Sequence, residues 1–450
     1  MSHLRRAAAT AALLASFAAG LPMTTAAASA APLQNRTERV NVTADGTQAD
    51  AEPVEAKISA DGRFATFITA ATALVPGVPV NERQVYVKDL RTGALELISA
   101  APDGRPADGT SLSVSISANG RYIAFSSLAT NLVPGHEPGD ETLDIYVRDR
   151  ETGRTELLIQ KDKPDTAGDS QRPTISADGR YVAFSSYRDD LVPGDTNRGE
   201  DVFVHDRREH TTTRVNATHD GRQQPYGYAG FPVISSDGSR VAFLSNVPLI
   251  PEPGANADDP APGKEPFLRR FYVHDLRTGK TEAVARRRNG EPAKIEGIGR
   301  LSPDGRYAIF SSGSPDIVAG DTNGQEDVFA TDLSTGLTRR LSLASDGSQP
   351  NGRSGNAVMS ADNRYVYFDS MASNLVPGDT NHVNDVFVRD LLTGKVERVS
   401  VAADGSQPTR SSFDVSVDLT GRTALFTSYA DDLVAGDTNQ QADVFVRHLP

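Results

Sequence analysis

The chain of 450 residues has no cysteine, no tryptophan, only 4 methionines and 6% aromatic residues. Without cysteine there is no disulfide framework, no zinc-thiolate or iron-sulfur site, no cysteine nucleophile and no lipid-modified N-terminal cysteine. Positive charge is also in deficit: 46 Lys plus Arg stand against 59 Asp plus Glu, a formal charge of -13. Bulk charge therefore disfavours nucleic acid and anionic membranes as partners. Long apolar runs are missing too. The stretch Ala7–Gly20 is too short to span a bilayer, and no later run extends it, so stable membrane insertion is not expected. Nor is there a GxSxG elbow, an HExxH helix or a P-loop.

The short apolar stretch has its own meaning. His3, Arg5 and Arg6 precede it and Ala28-Ser29-Ala30 follows, the layout of a secretory signal peptide over residues 1–30 with cleavage near Ala30. Its loss removes two arginines and no acids, leaving 44 − 59 = −15. The expectation is a secreted, extracytoplasmic protein.

What the chain has is repetition, with 38 Gly and 27 Pro punctuating it. The line "ISADGRYVAFSS" from Ile175 has relatives from Ile58, Ile116, Ile234, Leu301, Met359 and Val415. The Phe of each line falls at 67, 125, 184, 243, 310, 368 and 426, so seven units of about 58 residues follow one another, with one insertion in the fourth. A second line, "DVFVRDLLTGKVERVSV" from Asp385, follows at a steady distance. Period-2 apolar patterning with "ADG" and "TG" turns gives four short strands per unit and almost no helix. In the sixth unit they run roughly over Asn356–Ser360, Arg364–Ser370, Asp385–Leu391 and Lys395–Val401. A single sheet cannot cover both of its faces, whereas sheets stacked around an axis can.

The ends of the chain complete the ring. The seventh unit stops after its third strand, at Pro450, while "TERVNVTADGTQ" from Thr37 matches "VERVSVAADGSQ" from Val396. Residues 37–43 should therefore supply the missing fourth strand. The expected fold is all-β, with residues 31–450 forming one seven-bladed β-propeller of four-stranded blades, closed by the N-terminal strand in the last blade. "SADGRYVAF" and "SPDGRYAIF" resemble the Pro-Asp-type repeats of TolB-like propellers, relatives of the WD-repeat group, over essentially the whole chain after residue 30. The resemblance implies the fold. Such propellers serve as binding scaffolds, as gating domains beside peptidases and occasionally as lyases, so it leaves the function open. The extra N-terminal domain of TolB has no counterpart here, and its role in envelope assembly is not carried over.

Two patterns recur in the long loops, all expected on one face. One is "DGSQP", at Asp346 and Asp404, with variants at Asp45 and Asp220. The other, "LVPGDTNxxxD", sets Asp195, Asn197 and Asp201 in unit three. It returns as Asp321, Asn323 and Asp327; as Asp379, Asn381 and Asp385; and as Asp437, Asn439 and Asp443. Alternating oxygen donors of this kind suit a hard cation, so these residues are candidate calcium ligands; their other reading is Asx-turns that brace a long loop. No cofactor is required, and calcium is the one considered. The fourth unit departs most from the repeat. It inserts a Pro-rich stretch from Pro248 to Pro266 and gathers Tyr226, Tyr228, Phe231, Arg269, Arg270, Arg286, Arg287 and Arg288, expected in one sector as a patch for an anionic, carbohydrate or protein ligand. His205 and His274 occupy a strand position filled elsewhere by Lys, Arg or Thr and are expected to face solvent. The expectation is a monomeric, non-catalytic scaffold binding a protein or carbohydrate partner through its long-loop face. The alternative is a polysaccharide lyase or glycan hydrolase acting at the channel mouth.

Overall fold

The computed structural model describes residues 35–135, 142–159, 168–218, 220–224, 227–250 and 269–450. The signal-peptide reading of residues 1–30, Tyr226 and most of the Pro-rich insertion lie outside the described residues. The unit Gln34–Pro450 consists of seven antiparallel sheets of four strands each. Blades 1 to 6 span Pro53–Leu97, Ser111–Leu157, Ser170–Arg214, Ala229–Ala283, Glu296–Arg340 and Ser354–Arg398, in chain order from the innermost strand outward. Blade 7 takes three strands from Ser412–His448 and its outermost from Arg36–Arg39. That strand pairs antiparallel with Asp443–His448, in the register Arg36 to His448 and Arg39 to Phe445. The seven innermost strands touch one another in sequence, and the last touches the first, so they wall an axial channel.

Each repeated Phe is the core of its blade. Phe67, Phe125, Phe184, Phe243, Phe310, Phe368 and Phe426 are all buried, and each faces an aromatic residue of the third strand, from Tyr86 for Phe67 to Phe445 for Phe426. Ring centroids in these pairs lie between 5.4 and 6.1 Å apart. Each such side chain contributes about 1.5–3 kcal/mol by leaving water, and the ring contacts add about 0.5–1.5 kcal/mol per pair.

Polar devices repeat with the same period. The arginine of the "DGR" or "NGR" hairpin reaches the aspartate that ends the third strand, as in Arg121–Asp149 at 2.8 Å and Arg180–Asp206 at 2.6 Å. The arginine holds Asp206 down at about 2. The same arginines lie over the neighbouring ring, Arg121 over Tyr122 at 4.9 Å. The variable histidines do not face solvent. His205 is buried and both bond a threonine of the outer strand, Thr212 or Thr281, because this strand position fronts the gap to the preceding blade. Burial pushes both imidazoles down.

Candidate functional site

The Asp-Asn-Asp loops were the first candidate, and the structure places a guanidinium in each. Arg340 Nη2 lies 2.9 Å from Asp321 and its Nε 3.4 Å from Asp327. Arg398 reaches Asp379 at 2.9 Å and Asp385 at 3.3 Å. Arg214 stands 3.5 Å from Asp195 and 3.7 Å from Asp201. In blade 7 the cation comes from the other end of the chain: Arg39 lies 3.4 Å from Asp437 and 3.3 Å from Asp443. Asn197, Asn323 and Asn381 turn their amide nitrogens, not their oxygens, toward Asp201, Asp327 and Asp385. They also donate to carbonyls of the following "DGSQP"-type loop, at Gln224, Pro350 and Pro408, and Asn439 does the same to Ala49. The two loop patterns are thus halves of one clasp between blades. Among the described residues no group of three or more His, Cys, Asp or Glu is arranged to hold a metal ion.

The arginine is the fourth member of the motif. Blades 3, 5, 6 and 7, which carry the full Asp-Asn-Asp pattern, have Arg214, Arg340, Arg398 and Arg39 opposite the core aromatic of the third strand. Blades 1, 2 and 4, which lack the pattern, have Leu97, Leu157 and Ala283 there. In these four blades a guanidinium of the chain stands among the candidate calcium ligands. The carboxylates are buried all the same: desolvation pushes Asp385 up to about 6 and Asp443 up as well, despite the adjacent guanidinium.

The residues of the fourth unit fall into two separate places. Phe231 sits on the innermost strand of blade 4, with Arg172 of blade 3 over its ring at 4.1 Å and Arg269 at 5.7 Å. Arg269 Nε donates to the Tyr228 hydroxyl at 3.1 Å, and Arg270 donates to the Asn246 carbonyl. Behind this stack the buried Glu200 accepts from Gln171 at 3.0 Å and Ser185 at 2.7 Å. Arg286, Arg287 and Arg288 lie instead on the perimeter, in the loop that leaves the outermost strand of blade 4, where Arg287 approaches Asp316 at 3.6 Å. No described contact joins the two sets.

The axial channel enters the sequence reading only as the seat of the alternative, catalytic function, with Lys57, Arg172, Arg300, Asn356 and Asp414 on the innermost strands and their directions left open. In blades 3 to 7 the innermost strand carries a β-bulge whose residue has positive φ: Arg172 (54°), Phe231 (58°), Gly297 (68°), Asn356 (48°) and Asp414 (55°). Four of the five are not glycine, and left-handed residues of this kind cost on the order of 1 kcal/mol each, so the packed ring must hold them. The next turn of the wall carries Lys57, Ser115, Thr174, Arg300 and Ser416. The hydroxyls of Ser115, Thr174 and Ser416 accept backbone N–H groups of adjacent blades, and Glu55 accepts from Val114. Lys57 pairs with Glu55 at 3.0 Å. Arg300, by contrast, has no hydrogen bond or ion pair among the described residues. Arg300 is half-buried in the channel wall. Desolvation pushes its pKa down, while Glu55 of blade 1 and Asp414 of blade 7 oppose the shift from across the ring.

This fold and its channel define the class, a seven-bladed β-propeller of four-stranded antiparallel blades closed by the N-terminal strand. No family model matches the sequence, and no curated protein matches it. The chain is similar in structure to the propeller domain of the Trilobed protease from Pyrococcus furiosus, with 11% identity over 88% of this chain and 95% of that one and a TM-score of 0.53. It is similar to a prolyl endopeptidase, with 9% identity over 88% of this chain and 50% of that one and a TM-score of 0.53. An acylaminoacyl peptidase from Pyrococcus horikoshii matches at 10% identity over 85% of this chain and 49% of that one, with a TM-score of 0.50. TolB from Acinetobacter baumannii is among the similar structures, at 16% identity over 87% of this chain and 77% of that one and a TM-score of 0.37. The chain spans about half the length of the two peptidases. The Pyrococcus furiosus propeller is described as having an open velcro topology, whereas here Arg36–Arg39 closes the ring. These neighbours overturn the expectation of a non-catalytic scaffold binding a protein or glycan partner through its long-loop face, and with it the glycan lyase or hydrolase alternative. At about 10% identity they establish the fold alone.

Proposed function

We propose that this propeller handles extended polypeptide in its axial channel, as a domain that works alongside a peptidase. The observation that carries the reading is Arg300, half-buried on the innermost strand of blade 5, its side chain without a hydrogen bond or ion pair among the described residues, and with Glu55 and Asp414 opposing the desolvation that pushes its pKa down. A wall bearing cations and acids at neighbouring heights suits a chain that presents a free carboxylate together with alternating donors and acceptors. It suits a polyanion poorly, since Glu55 and Asp414 would repel it. The peptidase association draws support from the neighbouring structures, whose names tie this propeller shape to proteolysis. The test is fluorescence anisotropy with a labelled dodecapeptide, once with a free C-terminus and once amidated. The free acid should bind, and Arg300→Gln should weaken it about tenfold, the equivalent of one charge-assisted hydrogen bond. Equal affinity of wild type and variant, or no binding at all, overturns the reading.

A further inference from the structure

The third strand of blade 5 breaks the repeat at one position. Lys88, Arg148, His205, His274, Arg389 and Arg447 occupy this place in the other blades, and in blade 5 it is Thr331. The longer side chains lie in the gap to the preceding blade. Arg389 Nη1 reaches across to the Leu341 carbonyl of blade 5 at 2.9 Å, and Lys88 Nζ reaches the Val42 carbonyl. Thr331 keeps the equivalent acceptor, donating to the Val284 carbonyl of blade 4 at 3.1 Å, but it fills far less of the gap. Thr331 lines a groove of about 540 Å³ between the outer edges of blades 4 and 5. Its volume lies within the range of sites that hold small molecules, roughly 300–1,000 Å³.

The groove is amphipathic along its length. Val284, Ile317, Leu333 and Leu337 supply apolar surface, and Leu337 at the lip is 72% exposed. At the long-loop end stand Arg286, Arg287 and Arg288. Arg287 has Asp316 and Glu291 beside it. Arg286 donates only to the carbonyls of Ala283 and Gly290, and the exposed Arg288 side chain has no partner among the described residues, so two cations there lack a carboxylate. Glu282, the acid that lines the groove, is paired with Lys280. In a chain of net charge -13, two arginines without a carboxylate at one end of the groove favour an anionic ligand there. From Glu282 to Arg286 the wall is about 13 Å of extended chain, enough for an aliphatic tail of about ten carbons.

We propose that this groove binds an amphipathic monocarboxylate, its tail along Val284, Ile317, Leu333 and Leu337 and its carboxylate on Arg286 and Arg288. The site is separate from the axial channel and stands or falls without it. Isothermal titration with decanoate tests it. Wild type should bind decanoate and should not bind decanol; no heat with decanoate, or equal binding of decanol, overturns the proposal. Thr331→Arg installs the residue that blades 2, 6 and 7 already carry, so the fold tolerates it, and it should abolish binding by filling the groove. Arg288→Gln, on an exposed loop, should weaken binding at least tenfold without moving the melting temperature. Retained affinity in either variant overturns the proposal. Peptide binding through Arg300 should be unchanged in both, which separates a failure of this site from a failure of the channel.

Discussion

The four arginines in the Asp-Asn-Asp loops each answer two largely buried carboxylates. Arg398 is nearly buried between Asp379 and Asp385, and Asp385 is wholly buried. Asp385 also accepts from Ser400 at 2.8 Å and from Asn381 at 2.9 Å, so its ionised form is solvated by the chain alone. Removing the guanidinium leaves two carboxylates facing one another out of water. Breaking a buried pair in this way costs about 3–5 kcal/mol, and Arg398→Gln should lower the urea midpoint accordingly. Because the guanidinium already occupies the charge site, the melting temperature of the wild type should be the same in calcium and in chelator. A calcium-dependent rise in the wild type, or an Arg398→Gln variant as stable as its parent, would return these loops to the cation-binding reading.

At the scale of elements, the blades are held to one another by the hairpin of one seating on the ring of the last. Gly120, in the first hairpin of blade 2, has φ of +72°, and a Cβ there would fall 2.2 Å from the ring of Phe64 in blade 1. That ring cannot give way, since Arg63 and Arg150 clamp it at 4.6 and 4.3 Å. Gly93 has a similar φ of +75° but open space around it, so Gly93→Ala measures the backbone penalty alone. Gly120→Ala should cost about 1–3 kcal/mol more than Gly93→Ala by chemical denaturation; equal losses would mean that the ring yields. The blades were legible in the sequence because a period near 58 residues, the turn glycines and the alternating apolar positions agree with one another. The arginine clasp was not, since Arg398 follows Asp385 by 13 residues and Arg39 precedes Asp443 by about 400, although its presence only in units with the full pattern was there to be read. The channel bulges were hidden for another reason: Arg172, Phe231, Asn356 and Asp414 take a conformation that glycine usually announces. In the sequence Phe231 reads as part of the loop entering the fourth unit, whereas it lies on the strand Ala229–Ile234, which is why Phe231 and Arg288 were expected in one patch and lie in two.

For the whole molecule the decisive question is closure, because a ring of blades that each pack only on their neighbours gains little until the last joins the first. The joint rests on four kinds of contact. Arg36–Arg39 forms a sheet ladder with Asp443–His448, extended by Asn35 N to the His448 carbonyl at 2.7 Å and Val40 N to the Val444 carbonyl at 2.7 Å. The Thr37 hydroxyl donates to the Val401 carbonyl of blade 6 at 2.7 Å, tying the borrowed strand to the next blade. Arg39 answers the charge of Asp437 and Asp443, and Asn41 bonds Asp443 at 2.6 Å. Val40 belongs to the core shared with Phe67, Val444 and Val446. Deleting residues 31–44 removes all four at once: it bares the edge of Asp443–His448, strands two buried carboxylates and opens the core between blades 7 and 1. The shortened protein should lose its single cooperative unfolding transition and self-associate through the bared edge, seen as a broadened calorimetric melt and a higher mass by light scattering. The milder Arg39→Gln keeps the ladder and should lower the midpoint while leaving one transition. A deletion variant that stays monomeric and melts in one sharp step would mean that the seven sheets hold together without the strand that closes them.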